Sequence, residues 1–436
     1  MEIAGLVQSH DDETQSPDKI IVAPGFRMAF AVVASIFFMW AIANNFNDIL
    51  IKQFQKALEL TRMQSSLVQT AFYFGYFTFA LPAGWAISRL GYKAGIIIGL
   101  LLYASGALLF WPAAGQREFG FFLVALYIIA AGLAFLETAA NPLIAAMGSA
   151  RTAAQRLNLA QSFNGLGGFL APFIGSALIF SGVEHGTAEL AAMTPGQIDA
   201  YRTAEALTVR LPYLGLAALV FGLAVLVYFT RFPQVAERKS AARTAPSRSL
   251  LSYAHLRGAV IAQFFYVGAQ VTVWSYFINF AQDLTGVGEK VAAHYLGYSL
   301  MAFMIGRFAG TALMSVLAPP RLLAVYSLAA AALCGVAMVG DGMTAIIALG
   351  LTSFFMSIMF PTIFTLGVAG LGERAKLGSS LLVMSIIGGA IFPPLTGYVS
   401  QLSGSIQTAM IVPLGCFIVV AVFGAWIVRH AAQGED

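Results

Sequence analysis

The chain has 436 residues, of which 59% are hydrophobic and 10% are charged, whereas a soluble globular protein carries about 25% charged residues. Soluble domains could not bury a mean hydropathy of +0.79, so the composition excludes a water-soluble fold. The apolar runs approach the ~20 residues of a membrane-spanning helix and lack the alternation of a transmembrane β-barrel. We therefore predict an all-α membrane protein.

Twelve segments of membrane-spanning length follow one another along the chain. They lie near residues 27–54, 65–88, 94–112, 120–147, 156–181, 209–231, 256–281, 292–317, 322–340, 343–369, 378–401 and 407–429. The acidic segment 1–26 lacks the apolar core of a signal peptide, so we predict that it is a cytoplasmic tail.

Lysine and arginine are distributed unevenly between the two sides that these spans define. With the amino terminus inside, sixteen fall on the inside and seven on the outside, while Arg307 lies within a span. The positive-inside rule therefore predicts that both termini are cytoplasmic. The basic segment 232–255 is interpreted as a linker between two six-helix bundles, 27–231 and 256–429, with a tail at 430–436; a docking patch for a partner is the alternative.

Two short patterns recur between the two halves of the chain. Gly-Gly-x-x-x-Pro occurs at 167–172 and again at 388–393, and Pro142 recurs as Pro361. Glycine pairs allow close helix approach and proline weakens a helix where it bends, although both residues are common in membrane helices. A parallel repeat of six plus six spans is typical of transporters that rock one bundle against the other around a site at the midplane.

Two acidic residues, Asp48 and Glu137, lie inside apolar segments. A buried carboxylate costs several kcal/mol unless it is paired or faces water, so such residues are usually functional. Asp48 lies about 31 Å along the first span, near its outer end, and Glu137 lies deeper, about 25 Å along its inward-running span. This stagger suits uptake of a proton with substrate and its release inside. The structural alternative is an ion pair with Arg307.

Amide and aromatic side chains accompany these acids in both halves. The first half offers Asn44, Asn45, Asn47, Asn158, Gln161 and Asn164, and span seven offers Gln270, Trp274, Tyr276 and Asn279. The residues 158, 161 and 164 are spaced so that they stack roughly on one helix face. Amides that donate and accept, beside flat apolar rings, are what a polyhydroxylated sugar needs. Polar contacts that join helices are the alternative interpretation.

Other chemistries find no support in the sequence. The five histidines are not at metal-ligand spacing, and no Gly-rich phosphate loop follows a strand, so we predict neither a metal site nor nucleotide-driven pumping. Cys334 and Cys416 lie in apolar stretches, where a disulfide framework is not expected. No cofactor is predicted. The expected partners are a small-molecule substrate and the lipid bilayer, with no nucleic acid and no obligatory protein partner.

Eight short stretches in both halves form a recognisable set. They are NNFNDIL at 44–50, QTAFYFG at 69–75, YKAG at 92–95, ETAANP at 137–142, LNLAQSFN at 157–164, YVGAQ at 266–270, GRF at 306–308 and FPTIF at 360–364. Together they resemble the fucose/proton symporter family of the major facilitator superfamily, in order from about Phe37 to Gly397. The superfamily loop signature also occurs between Gly84 and Lys93, with Ser88 in place of the usual acid.

The resemblance implies roles for particular residues. It implies a major facilitator fold with Asp48 and Glu137 as the proton-coupling carboxylates. The substrate-binding candidates are Asn44, Asn45, Tyr73, Gln161, Asn164, Gln270, Trp274 and Phe360, and the candidates for conformational change are Arg89, Lys93 and Arg307. Phe360 and Met359 depart from the tyrosine and glutamine of the fucose member, which leaves the hexose open.

We therefore expect a proton-coupled sugar symporter of the bacterial inner membrane that imports L-fucose by alternating access. Glucose, galactose or N-acetylglucosamine is the alternative substrate, and sodium is the alternative coupling ion. A polytopic membrane enzyme or a sugar sensor is the rival of a different class. An enzyme would place acid, base and donor-binding groups in an interfacial loop and a sensor would append a signalling domain, and the sequence offers neither.

Overall fold

A computed structural model of the chain describes residues 21–58, 62–179, 189, 192–230, 232 and 249–433. Its regular backbone is helical throughout, and no residue within these ranges forms a strand. The predicted all-α architecture is therefore confirmed.

The helices form two bundles that follow each other along the chain. The first consists of α1 (Arg27–Leu58), α2 (Arg62–Leu90), α3 (Tyr92–Gln116), α4 (Phe119–Ala146), α5 (Ala153–Ile179), the short α6 (Pro195–Leu207) and α7 (Arg210–Phe229). The second consists of α8 (Ala254–Thr285), α9 (Glu289–Leu313), α10 (Pro319–Val339), α11 (Gly342–Met356), α12 (Met359–Val368), α13 (Ala375–Met384), α14 (Gly388–Ser403), α15 (Ile406–Ala409) and α16 (Ile411–Gln433).

Helices occupy every one of the twelve predicted spans. Within the described ranges, ten segments are long and apolar enough to cross a membrane. The remaining two helices, α2 and α5, have the necessary length. α2 carries polar side chains such as Gln69, which lines the cavity described below.

The predicted spans 343–369 and 378–401 correspond to the membrane-spanning segments Gly342–Val368 and Ala375–Ser403, but the regular α-helix is interrupted within each of them. The first is divided because α11 ends at Met356 and α12 begins at Met359. Pro361 has no amide hydrogen for the carbonyl of Ser357, four residues earlier, so the regular helix cannot continue across this point. The second is divided by the 3-10 turn Ser385–Ile387, which precedes the glycine pair that opens α14.

The connections also differ from the predicted boundaries. The loop predicted at 182–208 contains α6, which begins with Pro195 and is capped reciprocally by Thr194 and Gln197. α8 begins at Ala254, two residues before the predicted start of the second bundle at 256, and residues 233–248 of the predicted linker lie outside the described ranges. α16 continues into the predicted tail as far as Gln433. Helical hydrogen bonding extends past the apolar residues that define a span, so hydropathy places such ends too early.

One face of the molecule carries the start of α1 and the end of α7, and it is called the terminal face. There the amide of Ala23 donates to the carbonyl of Met147 at 3.3 Å, and the Lys93 ammonium donates to the carbonyl of Thr230 at 3.0 Å. The turn after α12 reaches the same face, where the Lys376 ammonium lies 5.3 Å from the centre of the Tyr92 ring.

The two bundles are closed against each other on this face. α5 packs against α9 and α12, and α2 and α4 pack against α13. The Asn158 amide donates to the Thr362 hydroxyl at 3.1 Å and the Gln155 amide donates to the carbonyl of Thr311 at 3.2 Å. Gly84 of α2 faces α13 with no space for a side chain. The bundle interface therefore combines neutral hydrogen bonds with close packing.

Within the first bundle, α3 and α4 approach each other through small residues. A Cβ atom on Gly132 would lie 2.5 Å from the carbonyl oxygen of Gly99 and 2.6 Å from the amide nitrogen of Tyr103. These are backbone atoms, which cannot move aside as a flexible side chain can. Only glycine permits this separation of the two helices.

We expect Gly132→Ala to lower the free energy of unfolding by about 1–3 kcal/mol because the added methyl group forces α3 and α4 apart. The matched control is Gly222→Ala on α7, where a Cβ atom would meet nothing within 4 Å. Thermal unfolding in detergent can be followed with a thiol-reactive dye, since Cys334 and Cys416 are both buried in the folded protein. Equal unfolding temperatures for the two variants would contradict this packing.

Candidate functional site

A cavity of about 420 Å³ lies between the two bundles. It brings together nine of the residues predicted for proton coupling and sugar binding, together with Arg307. These are Asn44, Asn45, Tyr73, Glu137, Gln161, Asn164, Gln270, Trp274 and Phe360. The size is that of a small-molecule site, and the walls mix apolar surface with a few polar groups, as such sites do.

Glu137 lies on α4 with its side chain entirely buried. Neither of its carboxyl oxygens has a hydrogen-bond partner in the described part of the chain. Asn141 lies one helical turn further on, and its amide nitrogen is also without a partner among the described residues. A buried carboxylate without hydrogen-bond partners has a high free energy, so this site favours the neutral carboxylic acid unless a cation or water comes close to it.

Arg307 lies on α9 and joins the second bundle to the first. Its Nη1 donates to the backbone carbonyl of Gln161 at 2.6 Å and to the amide oxygen of the same residue at 3.2 Å. Its Nε donates to the carbonyl of Ser357 at 2.9 Å. Among the described residues no ion pair joins Arg307 to Glu137, so the ion-pair alternative considered from the sequence is wrong for Glu137; the Asp48 side chain lies outside the described part of the structure.

The carbonyl of Ser357 is available to Arg307 because of the break between α11 and α12. In a regular helix that oxygen would accept the amide hydrogen of residue 361, which is a proline and has none. The Arg307 guanidinium thus donates to a carbonyl oxygen that has no donor within its own helix. Pro361, one of the repeated prolines noted in the sequence, therefore makes one of the acceptors of this buried cation available.

Amide side chains form the polar wall of the cavity on the first bundle. The Gln161 amide donates to the side-chain oxygen of Asn141 at 3.2 Å. The Asn164 amide donates to the carbonyl of Phe37 at 3.2 Å, and the Asn45 amide donates to the carbonyl of Ala41 at 2.8 Å. These bonds fix the orientation of each amide and leave further donor and acceptor positions on the same groups for a ligand.

Aromatic side chains also line the cavity on the second bundle. The Trp274 and Phe303 rings meet edge to face with their centroids 5.0 Å apart. The guanidinium carbon of Arg307 lies 4.7 Å from the centre of the Phe303 ring. Phe360 lines the same wall and contacts the buried ring of Tyr266. A ligand in the cavity therefore meets both amide groups and flat apolar rings.

Several predicted residues lie elsewhere. Asp48 is on α1, but its side chain is outside the described part of the structure. Asn158 was expected beside Gln161 and Asn164, yet it is fully buried at the bundle interface and does not line the cavity. Three-residue steps turn by about 300°, so each successive side chain rotates about 60° away from the last.

Two span-seven candidates are also not part of the cavity wall. The Tyr276 hydroxyl donates to the carbonyl of Pro393 at 3.0 Å, so it joins α8 to α14. Asn279 is exposed. Both residues follow Trp274 on α8 but point away from the space between the bundles.

Arg89 and Lys93 lie at the terminal face, far along the helices from the cavity-lining residues. The Arg89 guanidinium stacks over the ring of Trp85, 4.3 Å from its centre. The Lys93 ammonium donates to the carbonyls of Tyr228 at 2.8 Å and Thr230 at 3.0 Å, and so caps the end of α7. In the described residues Lys93 thus binds helix-end carbonyls, which carry partial negative charge.

Sequence reasoning missed several residues of the cavity. Gln69, Tyr76 and Phe303 line it, and none of them was singled out. A signal existed for the first two, because Gln69, Tyr73 and Tyr76 follow the i, i+4, i+7 spacing of one helix face. Phe303 lies in an apolar run and gives no such signal.

Comparison with known proteins identifies relatives of high similarity. Residues 26–381 match the family model described as Major Facilitator Superfamily. The chain is 47% identical over 401 residues to the L-fucose-proton symporter of Escherichia coli (strain K12), covering 90% of this chain and 92% of that protein. It is 38% identical over 404 residues to the glucose/galactose transporter of Brucella abortus, covering 92% and 94%.

A solved structure of similar sequence supports the same assignment. A crystal structure of a Major Facilitator Superfamily transporter in the outward conformation matches with a TM-score of 0.84 and 46% identity, covering 92% of this chain and 99% of that one. The resemblance that the sequence motifs indicated is therefore confirmed.

We expect Arg307→Lys to lower the free energy of unfolding by about 1–3 kcal/mol, because an ammonium cannot bond the Gln161 and Ser357 carbonyls together and leaves a buried acceptor unsatisfied. Arg321→Lys at the exposed start of α10 is the matched control. Thermal unfolding of the two variants in detergent measures the difference. Unchanged stability of Arg307→Lys would show that the two-sided bonding of the guanidinium contributes nothing.

Proposed function

Because this chain belongs to the Major Facilitator Superfamily, in the group of sugar transporters that includes L-fucose-proton symporters, we propose that it imports L-fucose together with a proton. Transport proceeds by alternating access, with the two bundles rocking around the cavity between them. The chain is a secondary transporter and not an enzyme. Its coupling ion is the proton, and no other cofactor takes part.

One observation carries this proposal. A fully buried carboxyl group without a hydrogen-bond partner in the described structure lines the same cavity as several amide and aromatic side chains. Amides bind hydroxyl groups in pairs, and aromatic rings bind the apolar C–H face of a pyranose. A carboxyl group whose charge is costly where it lies can take up and release a proton as its surroundings change. Sugar and proton sites are thus adjacent.

Coupling follows from the cost of burying charge. Protonation makes Glu137 neutral, so the cavity can close around the bound sugar without desolvating a carboxylate. After sugar and proton have left, the ionised Glu137 needs a counter-charge while the empty carrier returns. Arg307 lines the same cavity and supplies that charge. Loaded and empty carriers therefore both avoid an uncompensated carboxylate.

The orientation in the membrane completes the proposal. We place the terminal face in the cytoplasm of a bacterial cell, as the distribution of lysine and arginine predicts. The bundles are closed on that face, so the described arrangement corresponds to a carrier that accepts substrate from outside. Asp48, nearer the outer end of α1, takes part in proton uptake in this scheme.

We expect Glu137→Gln to abolish proton-driven accumulation, a loss of about tenfold or more, while sugar exchange across the membrane stays within about threefold of wild type. Glutamine mimics the neutral acid, so the loaded carrier still reorients, but it cannot release a proton. Uptake and counterflow of labelled L-fucose in proteoliposomes with and without an inward proton gradient measure both quantities.

The matched control is Glu118→Gln, the same substitution at the exposed residue that precedes α4. It should accumulate L-fucose like wild type. Undiminished accumulation by Glu137→Gln would remove Glu137 from the coupling step. Accumulation that depends on a sodium gradient and not on a proton gradient would show that sodium is the coupling ion.

The substrate is tested by competition. We expect unlabelled L-fucose to inhibit labelled uptake at concentrations about tenfold or more below those needed for glucose, galactose or N-acetylglucosamine, because each misplaced hydroxyl leaves a buried amide unpaired. Tighter inhibition by glucose or galactose would assign the chain the substrate of its Brucella relative.

A further inference from the structure

The Trp274 ring is held from behind by a buried hydroxyl group. Trp274 lies on α8 and lines the cavity. Its indole Nε1 donates to the Oγ of Ser353 on α11 at 3.1 Å. Ser353 is fully buried and does not line the cavity. The only polar atom of the indole is therefore directed away from the cavity, into the second bundle.

A second serine extends this contact into a chain of hydrogen bonds. The Oγ of Ser299, on α9, lies 2.6 Å from the Oγ of Ser353 and donates to the carbonyl of Gly350 at 3.2 Å. With the Ser299 proton on that carbonyl, Ser353 donates to Ser299, and both hydroxyl groups then have a donor and an acceptor role. The direction runs from the indole N–H through Ser353 and Ser299 to the α11 backbone.

This chain leaves the indole little freedom. The edge-to-face contact with Phe303 holds the ring from a second direction. An N–H that is already bonded to Ser353 has no proton to offer a sugar hydroxyl. Trp274 can therefore present only its apolar surface to the cavity, which suits the C–H face of a pyranose ring and not its hydroxyl groups.

We propose that Ser353 and Ser299 are positioning residues that hold Trp274 as a rigid platform for the apolar face of the sugar. The inference deepens the proposed function and rests on it. Neither serine contacts the substrate. They act through Trp274 by fixing the ring and by occupying its N–H, so that the energetic cost of orienting the ring is met before the sugar arrives.

A double-mutant cycle tests this directly. Dissociation constants for L-fucose are measured by calorimetry on detergent-solubilised wild type, Ser353→Ala, Trp274→Phe and the double variant. We expect Ser353→Ala to weaken binding about tenfold, because the indole N–H loses its acceptor and the ring its orientation. In the Trp274→Phe background the same substitution should change binding by less than about twofold, since phenylalanine has no N–H to hold.

Two further variants test how each serine contributes to L-fucose binding. Ser299→Ala should weaken binding about threefold, since Ser353 can still accept from the indole but is less well held. Ser353→Thr retains the hydroxyl and should restore most of the affinity. Ser327→Ala is the control, because Ser327 is equally buried but its hydroxyl donates to the carbonyl of Leu323 in its own helix.

The outcomes separate the two proposals. Wild-type affinity in Ser353→Ala, or equal losses with and without Trp274, would overturn the positioning role. Absence of hexose binding by the wild type would overturn the proposed function instead. In that event, hydrogen exchange of the Trp274 indole N–H still tests the serines. Its ¹⁵N signal is one of five tryptophan signals and is identified as the one that Trp274→Phe lacks. We expect this N–H to exchange about tenfold faster in Ser353→Ala than in wild type. An unchanged exchange rate would refute the hydrogen-bond chain.

Discussion

The free-energy cost of a charged carboxyl group inside a membrane bundle is the constraint on which the rest of this structure depends. Glu137 is fully buried and its oxygens find no hydrogen bond among the described residues. A group with full solvation, or one with a permanent cationic partner, would have no reason to change its charge during transport. In the proposed mechanism, the movement of the two bundles changes the surroundings of this carboxyl group.

Arg307 lines the cavity and contacts residues of both bundles. It contacts Phe303, and through it Trp274, on the second bundle, and it bonds Gln161 on the first. Gln161 in turn bonds Asn141, which neighbours Glu137. Sugar platform and carboxyl group are thus connected by direct contacts.

The sequence alone was sufficient to predict the features that depend on the free-energy cost of placing one type of residue inside a membrane. The sequence shows a carboxyl group in an apolar run, twelve spans and repeated glycine and proline patterns. These features predict the fold. Features that depend on which helices meet could not be predicted. Nothing local distinguishes Ser353 from other serines in apolar segments, because its role arises from the approach of α11 to α8. Likewise, charge alone suggested a carboxylate partner for Arg307, whereas its Nε donates to the carbonyl of Ser357, which Pro361 leaves without a helical donor.

The closure of the terminal face has a consequence for the ionic medium. Its described contacts across the bundles are neutral hydrogen bonds from Asn158 and Gln155, the close approach at Gly84, and the Lys376 ammonium over the Tyr92 ring. Dissolved salt screens exposed charge pairs over a Debye length of about 8 Å at physiological ionic strength, but it acts weakly on buried neutral bonds. The contacts of Asn158, Gln155 and Gly84 should therefore be as strong in concentrated salt as in dilute salt. A change of ionic strength by itself should not separate this part of the interface.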